Sequence, residues 1–317
     1  MASKDSNQGI LLETGTNEVE IIEFYLGGQS FGINVAKVKQ IVQFEAKLLT
    51  EIPETHPAVL GTFLYRGSTS PLIDLNKALH REKVTQDDER TLVLVSEFNN
   101  TVNSFQIDGI NRIHRISWDQ LQPLSQLFSS KQSSFIGSVS LNGREMLIVD
   151  VEEVLAEISP ESSFSGENER LAQLLETETT EDKELRIVIA EDSTFIRESI
   201  VERMHQCGFK YVDAFENGKK AYDYLLKVKK EIQDSEKPIK EVVSVVVSDI
   251  EMPQLDGLTL CKYIKDDPIL GTLPVIMFSS LINDQMVLKC ESVGADACTT
   301  KPKLADMISL IIKHSLR

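Results

Sequence analysis

Five polar side chains in this sequence stand directly after short apolar runs, and together they suit one kind of chemistry. Glu191 and Asp192 follow LRIVIA, Asp249 follows VVSVVVS, Ser279 follows PVIMF and Lys301 follows ADACTT. Three carboxylates gathered in one crevice repel one another unless they share a cation. Mg²⁺ is the expected ion, because it takes oxygen ligands and binds through a few carboxylates together with phosphate oxygens. A carboxylate beside such an ion can attack an activated phosphorus and become an acyl phosphate. Lys301 would offset the charge of the new anion, and the Ser279 hydroxyl would offer it a hydrogen bond. Each position also has a plainer reading. A strand-end Asp commonly makes a turn, Glu191-Asp192-Ser193 can cap a helix starting near Thr194, and Lys301 before Pro302 can be a surface loop. Their placement after four separate strands is what makes the set specific.

The elements that would bring these groups together are legible in the pattern beyond Lys183. LRIVIA precedes SIVERM, VVSVVVSDI precedes GLTLCKYI, and LPVIMF precedes MVLKCESV. Buried strands alternating with amphipathic helices predict a doubly wound α/β domain with a parallel sheet. Functional groups of such a sheet collect at the carboxyl ends of its strands. The stretch Lys227 to Glu241 is long and charged, and is expected as an extended helix end followed by a solvated loop.

Residues 18–158 read differently. Short segments with period-two alternation, such as Ile22-Phe24-Leu26, Leu92-Leu94, Phe105-Ile107, Ile113 to Ile116 and Met146 to Val149, are broken by Gly, Asn, Ser or Pro. This predicts an all-β domain of small barrels or sandwiches. Asn142-Gly143, between FIGSVS and EMLIV, predicts a hairpin turn. Between the two domains, residues 159–184 carry eight Asp or Glu against two Lys or Arg, an acidic linker. The second domain then occupies 185–317.

A formal net charge of -16 argues against nucleic acid as a partner, since that binding depends on neutralising phosphates. No run approaches the roughly 20 apolar residues of a membrane span, and MASKDSNQG lacks the apolar core of a secretory signal, so the expected compartment is the cytoplasm, without membrane insertion. Cys207, Cys261, Cys290 and Cys298 have no CxxC pairing and are expected as reduced, mostly buried thiols. His56, His80 and His114 are widely separated, lack carboxylates at ligand or dyad spacing, and are expected to be structural or surface groups. With no nucleophile motif or phosphate-binding glycine loop before Ser159, the first domain is expected to be a binding module rather than an enzyme.

IAEDS, VVVSDIEMPQLDGL, PVIMFSS and TTKP resemble the motifs of response-regulator receiver domains. The resemblance implies a flavodoxin-like fold with strand order 2-1-3-4-5 and five helices. It implies Asp249 as phosphoacceptor, Glu191 and Asp192 as Mg²⁺ carboxylates, and Glu251 as donor of a backbone carbonyl to the metal. Ser279 becomes the switch hydroxyl and Lys301 the phosphoryl-binding lysine. A cis peptide before Pro302 is also implied. Where the family usually has a switch aromatic, this chain has Cys298, so an aromatic rotamer flip cannot report phosphorylation here. Leu281, two beyond the switch hydroxyl, has no group to orient an attacking water.

FYLGGQSFGINVAKVKQIV, GTFLYRGSTSPLIDLNKAL, FQIDGINRI and FIGSVSLNGREMLIVDVEEVL are similar, in order and spacing, to the CheW-like proteins that couple chemoreceptors to their histidine kinase. This resemblance implies paired small five-stranded barrels, with Arg66 and Gly67 in a turn near the partner-binding surfaces. For Arg66 the alternative is a guanidinium that bridges the barrels through carbonyl hydrogen bonds. Ile33, Val38 and Ile41 are expected in the core. The combination resembles the phosphorylatable coupling proteins of the CheV type. It implies a scaffold in chemotaxis signalling whose partners are receptor tips and the kinase, recruited to membrane-associated receptor arrays and regulated through Asp249. The alternative is a phosphate sink localised by the first domain. A phosphohydrolase fits less well, because such enzymes commonly carry an Asp two residues after the nucleophile, where this chain has Glu251.

Overall fold

The computed structural model describes residues 15–53, 55–80, 91–98, 101–122, 124, 134–159, 184–235, 238–301 and 303–315. Residues 160–183 of the expected linker, and Pro302 with its expected cis bond, lie outside the described residues.

The first domain contains β1 (Glu18–Leu26), β2 (Gln29–Asn34), β3 (Val38–Gln43), β4 (Leu49–Thr50), β5 (Val59–Tyr65) and β6 (Ser68–Asp74). It continues with α1 (Leu75–Ala78), β7 (Leu92–Phe98), β8 (Thr101–Ile107), β9 (Gly109–Ser117), β10 (Phe135–Leu141), β11 (Arg144–Val149) and α2 (Val151–Ile158). The strands form two sheets, one ordered β10-β11-β2-β1-β9 and the other β3-β7-β8-β6-β5-β4. The second sheet has six strands where the resemblance implies five. The addition is the two-residue β4, paired with Thr62 and Phe63 of β5. Gly61 makes room for it, since at φ +145° a Cβ there would stand 2.2 Å from the Thr50 carbonyl oxygen.

One strand serves two cores. In β1, Val19 and Ile21 face a cluster with Ile116, Trp118 and Ile148 inside the first sheet, whereas Phe24 and Leu26 face a cluster shared with Ile73, Leu94 and Phe105 of the second. The change of face follows from a register shift against β9 between Ile22 and Phe24, because slipping one residue turns the following side chains to the opposite side. Ile33 is buried, and Val38 and Ile41 pack against the shared cluster, as expected of core residues. The Asn142-Gly143 turn has φ of 51° and 75°, the paired left-handed conformation of a two-residue hairpin.

The second domain alternates β12 (Arg186–Ala190), α3 (Thr194–Gln206), β13 (Tyr211–Phe215), α4 (Gly218–Ser235), β14 (Val245–Ser248), α5 (Gly257–Asp266), β15 (Val275–Ser279), α6 (Asp284–Ser292), β16 (Ala297–Thr300) and α7 (Leu304–Ser315). All strand pairs are parallel and the order is β13-β12-β14-β15-β16, which is 2-1-3-4-5. Alternate side chains feed opposite faces. Val188, Val246 and Met277 pack under α4, α5 and α6, while Ile189, Val247 and Phe278 pack under α3 and α7. Each such side chain contributes roughly 1.5–3 kcal/mol on burial. In the charged stretch after Leu226, Val228 and Ile232 continue the buried stripe of α4, and Lys227 and Lys230 lie exposed. Among the described residues no helix is long and apolar enough to cross a membrane.

Candidate functional site

The strand ends of the second domain bring Asp249, Glu191 and Lys301 into direct contact. Lys301 Nζ lies 2.9 Å from Asp249 Oδ2 and 2.7 Å from Glu191 Oε2, and all three residues are buried. The Ile250 amide donates to Asp249 Oδ1 at 2.6 Å. Arg197, one turn into α3, holds the preceding loop by donating to the carbonyls of Glu191 and Asp192. Ser193 is the N-cap of that helix, accepting from the Ile196 amide. The capping reading therefore fits Ser193, while Glu191 and Asp192 join the cluster. Behind the site, α5 starts hard against the acceptor strand, with Gly257 on the Asp249 carbonyl.

Carboxylate oxygens of Glu191, Asp192 and Asp249 lie within 4.8 Å of one another. Burial, opposed by Lys301 and reinforced by Asp249, pushes the Glu191 carboxyl up to about 8. Burial, with Glu191 and Asp249 beside it, holds Asp192 well above the ordinary carboxylate range. Burial disfavours the charge on Lys301, but Asp249 and Glu191 outweigh it and raise its pKa well above the usual value. Glu191 Oε1 is buried without a hydrogen-bond partner. Clustered oxygens, one of them orphaned, fit a hard divalent cation.

Two other expected site residues are placed less directly. Ser279 is fully buried, and its Oγ accepts from the Leu281 amide at 3.4 Å. The Glu251 side chain turns away from the carboxylate trio and toward the first domain. Lys37 Nζ approaches Glu251 Oε2 at 2.8 Å, and Asn34 Nδ2 donates to Glu251 Oε1 at 2.6 Å.

That contact belongs to an interface which the sequence does not announce. Lys37 also pairs with Glu152 at 2.7 Å and approaches Asp150 at 3.8 Å. Glu152 accepts from the Ser280 hydroxyl, and Glu153 accepts from Ser193 Oγ at 3.1 Å. At the interface margin the Asn17 side chain donates to the Gln254 carbonyl and accepts from the Asp256 amide, each at 3.0 Å, and the Gln254 amide donates to the Trp118 carbonyl. Burial opposes the Lys37 charge, yet Glu152, Glu251 and Asp150 raise its pKa well above the usual value. Burial pushes Glu251 up to about 7 despite Lys37, whereas for Glu152 the attraction of Lys37 and Lys301 outweighs burial and lowers it.

In the first domain, Arg66 and Gly67 form the exposed turn between β5 and β6, with φ of 49° and 80°. The Arg66 guanidinium lies 5.2 Å from the centre of the Tyr65 ring. Among the described residues it makes no carbonyl bridge between the sheets. His56 Nδ1 accepts from the Ala58 amide, a structural contact, and His80 is an exposed surface residue at φ 53°. His114 is structural too, with a partner that spacing does not show: its Nε2 lies 2.8 Å from Glu23 Oε2. Pairing of β1 with β9 creates this contact between residues 91 positions apart, beyond the reach of sequence spacing. Of the cysteines, Cys207, Cys261 and Cys290 are buried and Cys298 is partly so, all as free thiols.

Residues 20–159 match the family model of the CheW-like domain, and residues 187–312 match that of the response regulator receiver domain. The chain is similar to the chemotaxis protein CheV3 of Helicobacter pylori, at 26% identity over 98% of this chain and 99% of that protein. It is similar to CheV2 of the same organism at 24% identity over 94% of this chain and 95% of that protein. The chemotaxis protein CheW of Helicobacter pylori is 30% identical over 48% of this chain and 90% of its own length.

Proposed function

The chain belongs to the CheV-type chemotaxis coupling proteins, a CheW-like domain followed by a receiver domain, and from this premise we propose that Asp249 accepts a phosphoryl group from the chemotaxis histidine kinase and that its phosphorylation adjusts coupling. As a scaffold it couples chemoreceptors to that kinase, without an enzymatic reaction on a small-molecule substrate. The CheW-like domain recruits it to receptor arrays by docking on receptor tips and on the kinase's regulatory domain, with the Arg66-Gly67 turn as part of the contact.

The observation that carries the phosphorylation proposal is the Asp249–Lys301 pair at 2.9 Å beside Glu191 and Asp192, at the carboxyl edge of the parallel sheet. A carboxylate oxygen of Asp249 forms the new bond to phosphorus as the phosphorus–nitrogen bond of the donor phosphohistidine breaks. The imidazole nitrogen leaves with the bonding pair and takes a proton from water. Lys301 holds positive charge where the phosphoryl oxygens gather, and the Ser279 hydroxyl supplies a donor on the neighbouring strand. Glu191, Asp192 and Asp249, with the Glu251 carbonyl, would hold Mg²⁺, which when bound supplies charge neutralisation for the phosphoryl oxygens.

The test is a reconstituted array of receptor, kinase and this protein, comparing wild type with Asp249→Asn as donor accumulates. Kinase activity is expected to drift with phosphorylation only for wild type. Equal activity for both proteins removes regulated coupling and leaves the phosphate sink.

A further inference from the structure

The space in front of the carboxylate cluster is closed by the other domain. Lys37, Ile136, Asp150 and Glu152 of the CheW-like domain line the same cleft as Glu191, Asp192, Asp249, Glu251 and Lys301, and its free volume is about 10 Å³. That is roughly room for one water, and not for a phosphoryl group or the imidazole ring of a donor. Lys37 is 3% exposed and is the positive charge that joins the domains, bridging Glu152 on one side and Glu251 on the other. The bridge is anchored at both ends. Asn34 holds the second oxygen of Glu251, and the Ser280 hydroxyl, next to the switch serine, holds Glu152. These contacts grip the receiver through the residue two beyond Asp249 and the residue after Ser279, on the two loops that flank the acceptor.

Taking Asp249 as the acceptor, as above, we propose that Lys37 is a latch: it clamps the CheW-like domain over the receiver pocket, and phosphoryl transfer to Asp249 both requires the clamp to open and then keeps it open. Closure excludes the donor protein sterically. Once the phosphorus–oxygen bond to Asp249 has formed, the phosphoryl oxygens occupy space that the closed form lacks. They also add negative charge to a cleft that already sets six carboxylates against Lys37 and Lys301. A phosphoryl group and the closed interface therefore exclude one another, and each reduces the apparent strength of the other by linkage. The face of the CheW-like domain built from Asn34, Lys37 and the start of α2 becomes available when Asp249 is modified. The Arg66-Gly67 turn lies outside this interface and stays exposed in both forms.

The experiment uses the full chain with Mg²⁺ and two donors, the phosphorylated kinase and acetyl phosphate. Lys37→Met is expected to speed labelling by the kinase on the order of ten-fold, as the open fraction rises. Acetyl phosphate, whose phosphoryl group the closed cleft also excludes, should label Lys37→Met faster than wild type as well. Asp249→Asn and the double variant should take no label from either donor. Label on Asp249→Asn overturns the acceptor assignment. Label that depends on Asp249 but enters Lys37→Met no faster than wild type overturns the latch alone. A second measurement needs no variant. In wild-type protein, amide exchange across residues 34–38 should quicken several-fold after labelling with acetyl phosphate. Unchanged protection in the labelled protein overturns mutual exclusion even if Lys37→Met fails to fold.

Discussion

A Cβ placed on Gly257 would stand 1.8 Å from the carbonyl oxygen of Asp249. The start of α5 thus rests directly on the backbone of the proposed acceptor, with the Asp256 side chain capping the helix through the Thr259 amide. Gly257→Ala should lower stability by roughly 1–3 kcal/mol through overpacking, and should slow labelling of Asp249 because the shift falls on the acceptor itself. Urea denaturation followed by circular dichroism, with labelling measured in parallel, tests this. Unchanged stability and unchanged labelling would show that the contact relaxes at no cost.

Asp249→Asn should abolish labelling while pull-down by receptor and kinase persists. The amide is nearly isosteric, but it is a poor nucleophile and removes one charge from the cation site. Titration with Mg²⁺ should show weaker binding than wild type, even though Glu191 and Asp192 remain. Joint loss of labelling and partner binding in a folded protein would contradict the division of labour between the domains.

Arg66→Ala is expected to leave thermal stability within about 0.5 kcal/mol of wild type, because the side chain is exposed and, among the described residues, stacks on Tyr65 alone. Its effect should appear as weaker pull-down with receptor or kinase, by roughly 1 kcal/mol or more if the turn is an interface hot spot. Binding equal to wild type would remove this turn from the coupling surface.

Burial pushes the Cys261 and Cys290 thiols up to about 12. Above pH ~9 an unfolded chain releases protons that the folded one keeps. The stabilisation these thiols provide is therefore complete below that pH and is lost as pH rises toward 12. The urea midpoint should fall between pH 8 and pH 10.5, and replacing both residues with Ala should flatten that part of the profile. A midpoint slope that is the same with and without the two thiols would refute the assignment. At pH 8 a thiol reagent should label Cys298, the partly exposed one, before the other three.

The receiver pocket was readable because its chemistry sits at strand ends. An apolar run buried on both faces, such as VVSVVVS, marks its own carboxyl end, and the parallel topology carries Glu191, Asp249 and Lys301 to one rim. The sheets of the first domain were readable only as alternation. The register shift at Ile22/Phe24, which divides β1 between two cores, needs β9 as a partner and leaves no trace in β1 alone. The latch was hidden for a related reason. Lys37 ends a one-turn 3-10 helix between β2 and β3 with no carboxylate near it in sequence, and Glu152 and Glu153 look like acidic residues in the first turn of a helix, which they also are. Only packing of the two domains turns these separate local features into one buried ion network.

Trp118 is the single tryptophan in the chain. Its ring is buried in the first domain while its carbonyl accepts from Gln254 of the second. Indole fluorescence therefore arises at one location, next to the seam between the domains, with no second emitter of its kind to blur it. Separation of the domains breaks the Gln254–Trp118 hydrogen bond and admits water to the backbone that carries the ring. The chain thus carries an intrinsic optical gauge of its own opening, readable in a stopped-flow cell without a dye or a label.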